Sequence, residues 1–162
     1  MPNLPNLKVD VGDGDNTLVS DNGVLYKASL LDYYYERRAT SSIGVGERFQ
    51  MTKAWFGKSD LVTQNPDGAG WLIADIPGNF ANEDFKEKFA ESLLISNYAD
   101  GRITLRAELQ DKNLPENTPY DFNTLVITDA EDNVCIALCI QQDTLYRGKR
   151  FIAVLTIETR IA

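Results

Sequence analysis

The sequence contains no histidine, the side chain that proteins use most often as a general base and as a metal ligand. Its absence excludes serine–histidine–aspartate and cysteine–histidine catalytic arrangements. No apolar run approaches the roughly 20 residues that cross a bilayer. The first seven residues also lack the basic and apolar regions of a signal peptide. We therefore expect a protein that is made in a cytoplasm and has no membrane partner.

Positive charge is scarce as well. The chain has 16 lysines and arginines against 24 aspartates and glutamates, a net charge of −8. An acidic surface repels phosphate backbones and anionic lipid head groups, so we expect neither nucleic acid nor a membrane surface as a partner. Hydrophobic residues make up 43% and charged residues 25% of the 162 residues. These values are typical of a globular chain long enough for one domain with a real core.

Cysteine is limited to Cys135 and Cys139. Four residues of strand span about 13 Å, which is beyond the ~7 Å Cα separation that a disulfide tolerates. We therefore expect two reduced, buried thiols rather than a redox pair or half of a zinc site.

The acidic residues give no recognised site. Asp10, Asp13 and Asp15 are spaced closely enough to suggest calcium, but the order of ligands in an EF-hand loop and its glutamate at the twelfth position are missing. A solvated acidic turn is the expected structure, and whether a metal sits there stays open. Adjacent acids elsewhere do not show the two-carboxylate cleft of a glycosidase. The sequence thus predicts no catalytic residue, no cofactor and no metal ligand.

The stretch from Tyr120 to Gln142 predicts the centre of the fold. Residues 122–127 are rich in β-branched and large apolar side chains, a polar break follows at 129–133, and residues 134–140 are almost wholly apolar. This pattern indicates a β-hairpin whose second strand is covered on both faces. The core residues expected here are Phe122, Leu125, Ile127, Ile136 and Leu138, with Leu155 and Ile157 from a last strand in the same sheet.

The remaining elements are expected in a definite order. Helical spacing of apolar residues predicts a helix over 21–39, and a second helix beginning at Asn82 with Phe85, Phe89 and Leu93 on its buried stripe. Alternation of apolar and polar residues predicts strands at 47–56, 102–109 and 151–161, with a short apolar segment at 71–76. Helices early and strands late favour an α+β fold, with one or two helices packed on an antiparallel sheet. The expected organisation is an extended arm at 1–20 and a single domain at 21–162.

The hairpin stretch resembles a known family. It reads Tyr-Asp-Phe-Asn-x-Leu-Val-Ile-x-Asp-Ala-x-x-Asn, and the apolar strand behind it ends in Cys-Ile-Gln-Gln-Asp143. Together with the helix and strand expected between Asn22 and Phe56, this order is similar to the N-terminal domain of bacteriophage tail-collar and tail-fibre proteins. Val126 and Ile127 stand where that family often has leucine and phenylalanine, and Asn133 where it has glycine.

The resemblance implies a structural virion protein of the phage tail, assembled in the host cytoplasm and often trimeric. Such a protein joins a collar or baseplate to a fibre, and its partners are other tail or baseplate proteins and further copies of itself as a trimer or ring. Two alternatives stay open at this point. One is a small β-rich module that binds a peptide or a glycan, and the other is a hydrolase working through carboxylates.

Two stretches carry apolar or aromatic residues that are not needed to fill the expected core. The arm carries the apolar residues Leu4, Leu7, Val9 and Val11 between prolines and glycines, where nothing in the sequence explains what covers them. The helix carries three consecutive tyrosines, Tyr33, Tyr34 and Tyr35, a residue type enriched in interfaces. We predict that these two stretches form the assembly interface.

Overall fold

The computed structural model describes residues 26–68, 70–110, 114, 118–146 and 151–158, together with the backbone of residues 7–12 and 17–18. Within these ranges the chain is built mostly from β-strands, with one α-helix. The elements in order are β1 (Leu7–Gly12), β2 (Thr17–Leu18), β3 (Tyr26–Leu30), α1 (Asp32–Ser42), β4 (Met51–Lys58), β5 (Val62–Gln64), β6 (Trp71–Ile73), a 3-10 turn (Asn82–Asp84), β7 (Lys86–Leu93), β8 (Ile95–Ala99), β9 (Arg102–Leu109), β10 (Tyr120–Asp129), β11 (Val134–Leu145) and β12 (Phe151–Glu158).

Two five-stranded sheets carry the fold. The first, sheet I, has the strand order β2-β1-β12-β9-β8, and the second, sheet II, has the order β3-β11-β10-β4-β7. Neighbouring strands pair antiparallel throughout both sheets. A small two-stranded sheet, β5-β6, lies in the connection between β4 and β7.

The main core lies between the two sheets. Sheet I contributes alternate residues of β9 and β12, and sheet II contributes residues of β4, β10 and β11 to the same cluster of buried side chains. Three phenylalanine rings join the sheets: Phe151 meets Phe122 at 4.9 Å and Phe56 at 5.9 Å between ring centroids, both edge to face. The molecule is therefore a β-sandwich, in which each sheet buries one face against the other.

Sheet II is covered on its other face too. The connection between β4 and β7 lays a second apolar cluster over it, and α1 follows directly from β3 at its edge. Val126, Val134 and Ala137 belong to this outer cluster, while Leu125 and Ile136 belong to the main core. Every residue from 134 to 140 is buried, because β11 has strands on both sides and side chains packed on both faces.

The expected α+β fold class is wrong, because the described chain is predominantly β. The one α-helix in these ranges has 11 residues, whereas two five-stranded sheets form most of the fold. Leu155 and Ile157 are buried as expected, but on β12 in sheet I rather than in the same sheet as the hairpin. The expected single sheet with helix cover is replaced by two sheets that cover each other.

The first expected helix is present but begins later than predicted, because its first described residues, 26–30, form strand β3. Residues 26–30 pair with Ile136–Ile140 and extend sheet II, so the helix begins only at Asp32. The buried strand β11 needs a neighbour for its backbone groups, and this pairing overrides the local helical spacing of the apolar residues. Residues 21–25, where the expected helix was to begin, lie outside the described residues.

The second expected helix is a single 3-10 turn followed by two strands. Asn82 does begin this turn, but Lys86–Leu93 pairs with β4 and Ile95–Ala99 pairs with β9. Phe85, Phe89 and Leu93 are spaced by four residues, and an even spacing also fits one face of a strand. Ala90 and Ser92 are buried while Glu91 and Leu93 are exposed, which is the period of two that the strand requires.

The two-sheet core predicts the cost of truncating Leu125, which is 1% exposed at its centre. We expect Leu125→Ala to lower the free energy of unfolding by about 2–5 kcal/mol, since the truncation would leave a cavity inside a close-packed core. Urea denaturation followed by tryptophan fluorescence measures it. Leu72→Ala is the matched control, because Leu72 is 48% exposed and should change stability by less than about 0.5 kcal/mol. An unchanged denaturation midpoint for Leu125→Ala contradicts the arrangement.

Candidate assembly surfaces

The tyrosines of α1 pack mainly against the chain's own core. Tyr34 is 1% exposed, and its ring meets Tyr35 at 5.4 Å and Phe49 at 5.8 Å, edge to face in both pairs. Tyr33 and Tyr35 are partly buried against the same core. Because successive helical residues point about 100° apart, only parts of Tyr33 and Tyr35 stay open to a partner.

Tyr33 fastens the helix to the turn of the central hairpin. Its hydroxyl donates to Oδ2 of Asp129 at 2.6 Å and accepts from Nδ2 of Asn133 at 3.1 Å. The other carboxylate oxygen of Asp129 accepts the backbone N–H groups of Glu131 and Asn133 at 3.0 and 2.9 Å. A buried carboxylate with three donors is satisfied where it stands, so Asp129 is a structural acid rather than a free catalytic one.

This environment changes the acidity of the phenol. Partial burial, together with the hydrogen bond to the negative Asp129, raises the pKa of Tyr33 from 10.0 to about 12. Both effects oppose the charged phenolate, because it is poorly solvated and faces a carboxylate. At neutral pH Tyr33 therefore remains a donor.

The same turn is held from its other side by Asn82. The Nδ2 atom of Asn82 donates to the carbonyl of Asp132 at 2.7 Å, and its Oδ1 atom accepts the N–H of Val134 at 2.9 Å. Side chains of the helix and of the 3-10 turn thus both form hydrogen bonds to the hairpin turn. Asp132 adopts a positive φ of 61° there, which an aspartate tolerates better than most residues.

A buried polar cluster at the other end of the hairpin contains two hydroxyls and a thiol. The hydroxyl of Ser59 lies 2.8 Å from that of Thr124 and 3.8 Å from the sulfur of Cys139, and the amide oxygen of Asn123 accepts from the backbone of Ser59 at 3.0 Å. Asn123 lies where the register of β10 and β11 shifts. The cluster satisfies the polar groups of this irregularity, as buried polar groups require.

Neither thiol is placed for chemistry. Both cysteines are free and buried, as the sequence predicts. Burial raises the pKa of Cys135 and of Cys139 above the ordinary value, so each remains a protonated thiol at neutral pH. Within the described residues no three acidic or cysteine side chains group closely enough to bind a metal ion. Asp13 and Asp15 lie outside that part of the chain, and only the backbone of Asp10 is described.

Large apolar side chains are exposed at one edge of the sandwich. Strand β7 ends sheet II, strand β8 ends sheet I, and the single residue Leu94 joins them. Leu93 is 77% exposed, and Ile95 and Tyr98 are each 65% exposed. We call these three residues the edge patch. All five residues of β8 are exposed, although the strand is paired with β9 along its whole length.

A second exposed apolar pair lies in the loop that leaves α1. Ile43 is 77% exposed and Val45 is 53% exposed. Arg37 holds this loop, because its guanidinium donates to the hydroxyl of Thr40 at 2.6 Å and to the carbonyl of Val45 at 3.2 Å. Gly46 has a φ of 77°, and a Cβ there would lie 2.9 Å from the same guanidinium. The loop therefore presents its apolar side chains from a fixed backbone.

The arm expected at 1–20 supplies a strand to the chain's own sheet. The backbone of β1 pairs with β12 from Leu7 opposite Ile157 to Gly12 opposite Ile152. Leu4 lies outside the described residues, and of Leu7, Val9 and Val11 only the backbone is described. Whether these residues contact a partner stays a prediction.

The edge patch is a feature that the sequence analysis missed. The available signal was the Asp100-Gly101 pair directly before the clear strand at 102–109. Both residues have a positive φ, 52° and 77°, as a two-residue hairpin turn requires. An Asp-Gly turn before a strand predicts a partner strand on its other side, which is β8. The helix expected in that region hid this signal.

Comparisons with known proteins agree on one kind of relative. The family model described as "Bacteriophage P1 tail fiber protein R" matches residues 14–162. The chain is 44% identical over 138 residues to the tail fiber protein R of Escherichia phage P1, an alignment that covers 85% of this chain and 95% of that protein. No solved structure matches the chain. No helix in the described ranges has the length and apolar character to cross a bilayer.

The Tyr33 anchor predicts a pH dependence of stability. The folded state holds the phenol proton up to a pKa of about 12, while the unfolded chain releases it near 10.0. The unfolded state therefore binds fewer protons between these values, and stability falls as the pH rises through that window. We expect Tyr33→Phe to lessen this fall. At neutral pH it should cost about 1.5–3 kcal/mol, since a hydrogen bond to a charged group is lost.

Urea denaturation at a series of pH values between 7 and 12 measures both effects. Tyr98→Phe is the matched control, because it removes the hydroxyl of a tyrosine that is 65% exposed. If Tyr33→Phe and Tyr98→Phe give the same stability at neutral pH, Tyr33 does not anchor the hairpin.

Proposed function

The chain belongs to the bacteriophage P1 tail fiber protein R family, and we propose, from that premise, that it acts as an adaptor that attaches a fibre to the tail. As a member of this family it is a structural component of a phage tail and part of the virion. The resemblance seen in the sequence is confirmed at the level of the phage tail-fibre family. The adaptor role, at a collar or a baseplate, is the part that we propose.

Contacts between proteins, rather than catalysis, are the proposed means of action. The observation that supports it is the exposure of Ile43, Val45 and the edge patch, while the Tyr33–Asp129 and Ser59–Thr124 hydrogen bonds lie within the chain. Exposed apolar side chains on fixed backbone are typical of surfaces that a partner covers. We propose that other tail proteins cover the loop with Ile43 and Val45, and that copies of the chain associate with each other.

The role in the tail can be tested in the phage that encodes this chain. Removing the gene should give particles whose tails lack attached fibres, and expression of the intact chain should restore them. Electron microscopy counts the fibres, and mass spectrometry of purified tails detects the chain. Expression of Ile43→Asp/Val45→Asp should restore fewer fibres than the intact chain, since two charges cannot be buried in an apolar contact. Leu72→Asp is the control at an exposed position. Purified tails that carry fibres but not this chain contradict the proposal.

The arm is proposed to contribute to association through its first residues. Since β1 begins at Leu7 and pairs with β12, deletion of residues 1–6 spares the sheet, whereas deletion of 1–16 removes a strand. We expect the shorter deletion to weaken self-association while the unfolding midpoint stays close to that of the full chain. Sedimentation and thermal denaturation measure the two effects. A shorter deletion that melts much lower but associates normally places residues 1–6 in the chain's own core and ends this proposal.

A further inference from the structure

Strand β8 is an open sheet edge without charge. Its sequence is Ile-Ser-Asn-Tyr-Ala, and no strand in the described part of the chain pairs with its outer side. Sheet edges of soluble proteins usually carry lysine, proline or a bulge that discourages further pairing. β8 has none of these, since its register with β9 runs without interruption from Ile95 opposite Arg106 to Ala99 opposite Arg102. Such an edge is suited to accept another strand.

The charges beside this edge are neutralised within the chain. Arg102 forms an ion pair with Glu158, and Arg106 forms one with Glu108 at 3.3 Å. The chain as a whole has a net charge of −8, so two copies repel each other over most of their surfaces. At β8 a second copy meets a neutral strand flanked by paired charges. This is a local match in charge between two copies of the same surface.

We propose that β8 pairs antiparallel with β8 of a second copy, about a two-fold axis at Asn97. This inference rests on the proposed function, and it names one surface through which copies of the chain associate. Pairing about Asn97 sets Ile95 opposite Ala99 of the second copy and Ser96 opposite its Tyr98. Sheet I then continues from one copy into the other, and the free backbone groups of both edges are satisfied.

The pairing is self-complementary in side chains as well as in backbone. Ile95 gains an apolar neighbour across the axis, and Tyr98 covers the small Ser96 of the second copy. The nearest acid in sequence, Asp100, follows the end of β8, so an antiparallel pair keeps the two copies of Asp100 at opposite ends. Like charges are thereby kept apart, as cross-strand pairing requires.

The proposed axis fixes which numbers of copies can form. An isologous contact uses the same surface on both partners and closes on itself, so it gives pairs. Combined with a separate contact of another kind it gives larger even numbers. A heterologous contact of β8 with a different surface would give rings or open chains instead. The number of copies in solution therefore distinguishes pairing with a second β8 strand from pairing with a different surface.

A charge exchange at Asn97 tests the axis directly. In Asn97→Lys both partners carry a lysine at the axis, opposite each other, and in Asn97→Glu both carry a glutamate. We expect each variant alone to dissociate with a Kd raised roughly tenfold or more, since like charges face each other in a partly desolvated pair. An equimolar mixture of the two variants should associate again, because every lysine then faces a glutamate. High salt should reduce these differences.

Sedimentation velocity of the purified full chain measures association, and native mass spectrometry distinguishes mixed pairs from like pairs. Gln64→Lys is the matched control, an exposed residue on β5 away from this edge, and it should associate as the unchanged chain does. Thermal denaturation of each variant checks that the fold is kept.

The inference is overturned by a monomer at high concentration, by an odd number of copies, or by charge variants that associate like the unchanged chain. Failure of a mixed pair to form also overturns it. Each leaves the adaptor role standing if the chain is still found in purified tails, so the two proposals fail separately.

Discussion

The fold depends on burying both faces of the central hairpin. Residues 122–129 of β10 and 134–140 of β11 have no wet side, so each backbone group there must find a partner in a neighbouring strand and each side chain must be apolar or hydrogen-bonded. β3 pairs with β11 and β4 pairs with β10, so the backbone groups on both sides of the hairpin have partners. Sheet I packs on one face of the hairpin, and the connection between β4 and β7 packs on the other, so the side chains of both faces are buried. The rest of the chain is arranged to satisfy this pair of strands.

The same demand extends to the ends of the hairpin. At the turn, Asp129 accepts backbone N–H groups that the strands leave unpaired and also accepts from Tyr33 of the helix, while Asn82 of the 3-10 turn accepts the N–H of Val134. At the irregularity in β10, Asn123 and Thr124 are satisfied by Ser59. Several side chains that look like candidates for chemistry are therefore occupied in holding the backbone.

The sequence predicts well where a pattern has only one structural solution. The alternation at 102–109 fits a strand and no helix, and β9 has these bounds. The spacing of Phe85, Phe89 and Leu93 does not distinguish a helix from a strand, because residues four apart lie on one face in either element. Pairing with β4 decided the outcome, and pairing between distant segments is invisible in local spacing. The edge patch was missed for the same reason, since exposure at a sheet edge depends on which strands end each sheet.

Assembly of an acidic chain requires places where repulsion is low. In physiological salt the field of a charge is screened within about 8 Å, so what two copies experience at contact is the local arrangement rather than the net charge of −8. A strand without lysine, arginine, aspartate or glutamate, beside arginines that already have acidic partners, offers such a place. The charges elsewhere then discourage other contacts. In the proposed pairing, net charge and neutral edge act together, because the first opposes contacts elsewhere and the second is a surface at which repulsion between copies is low.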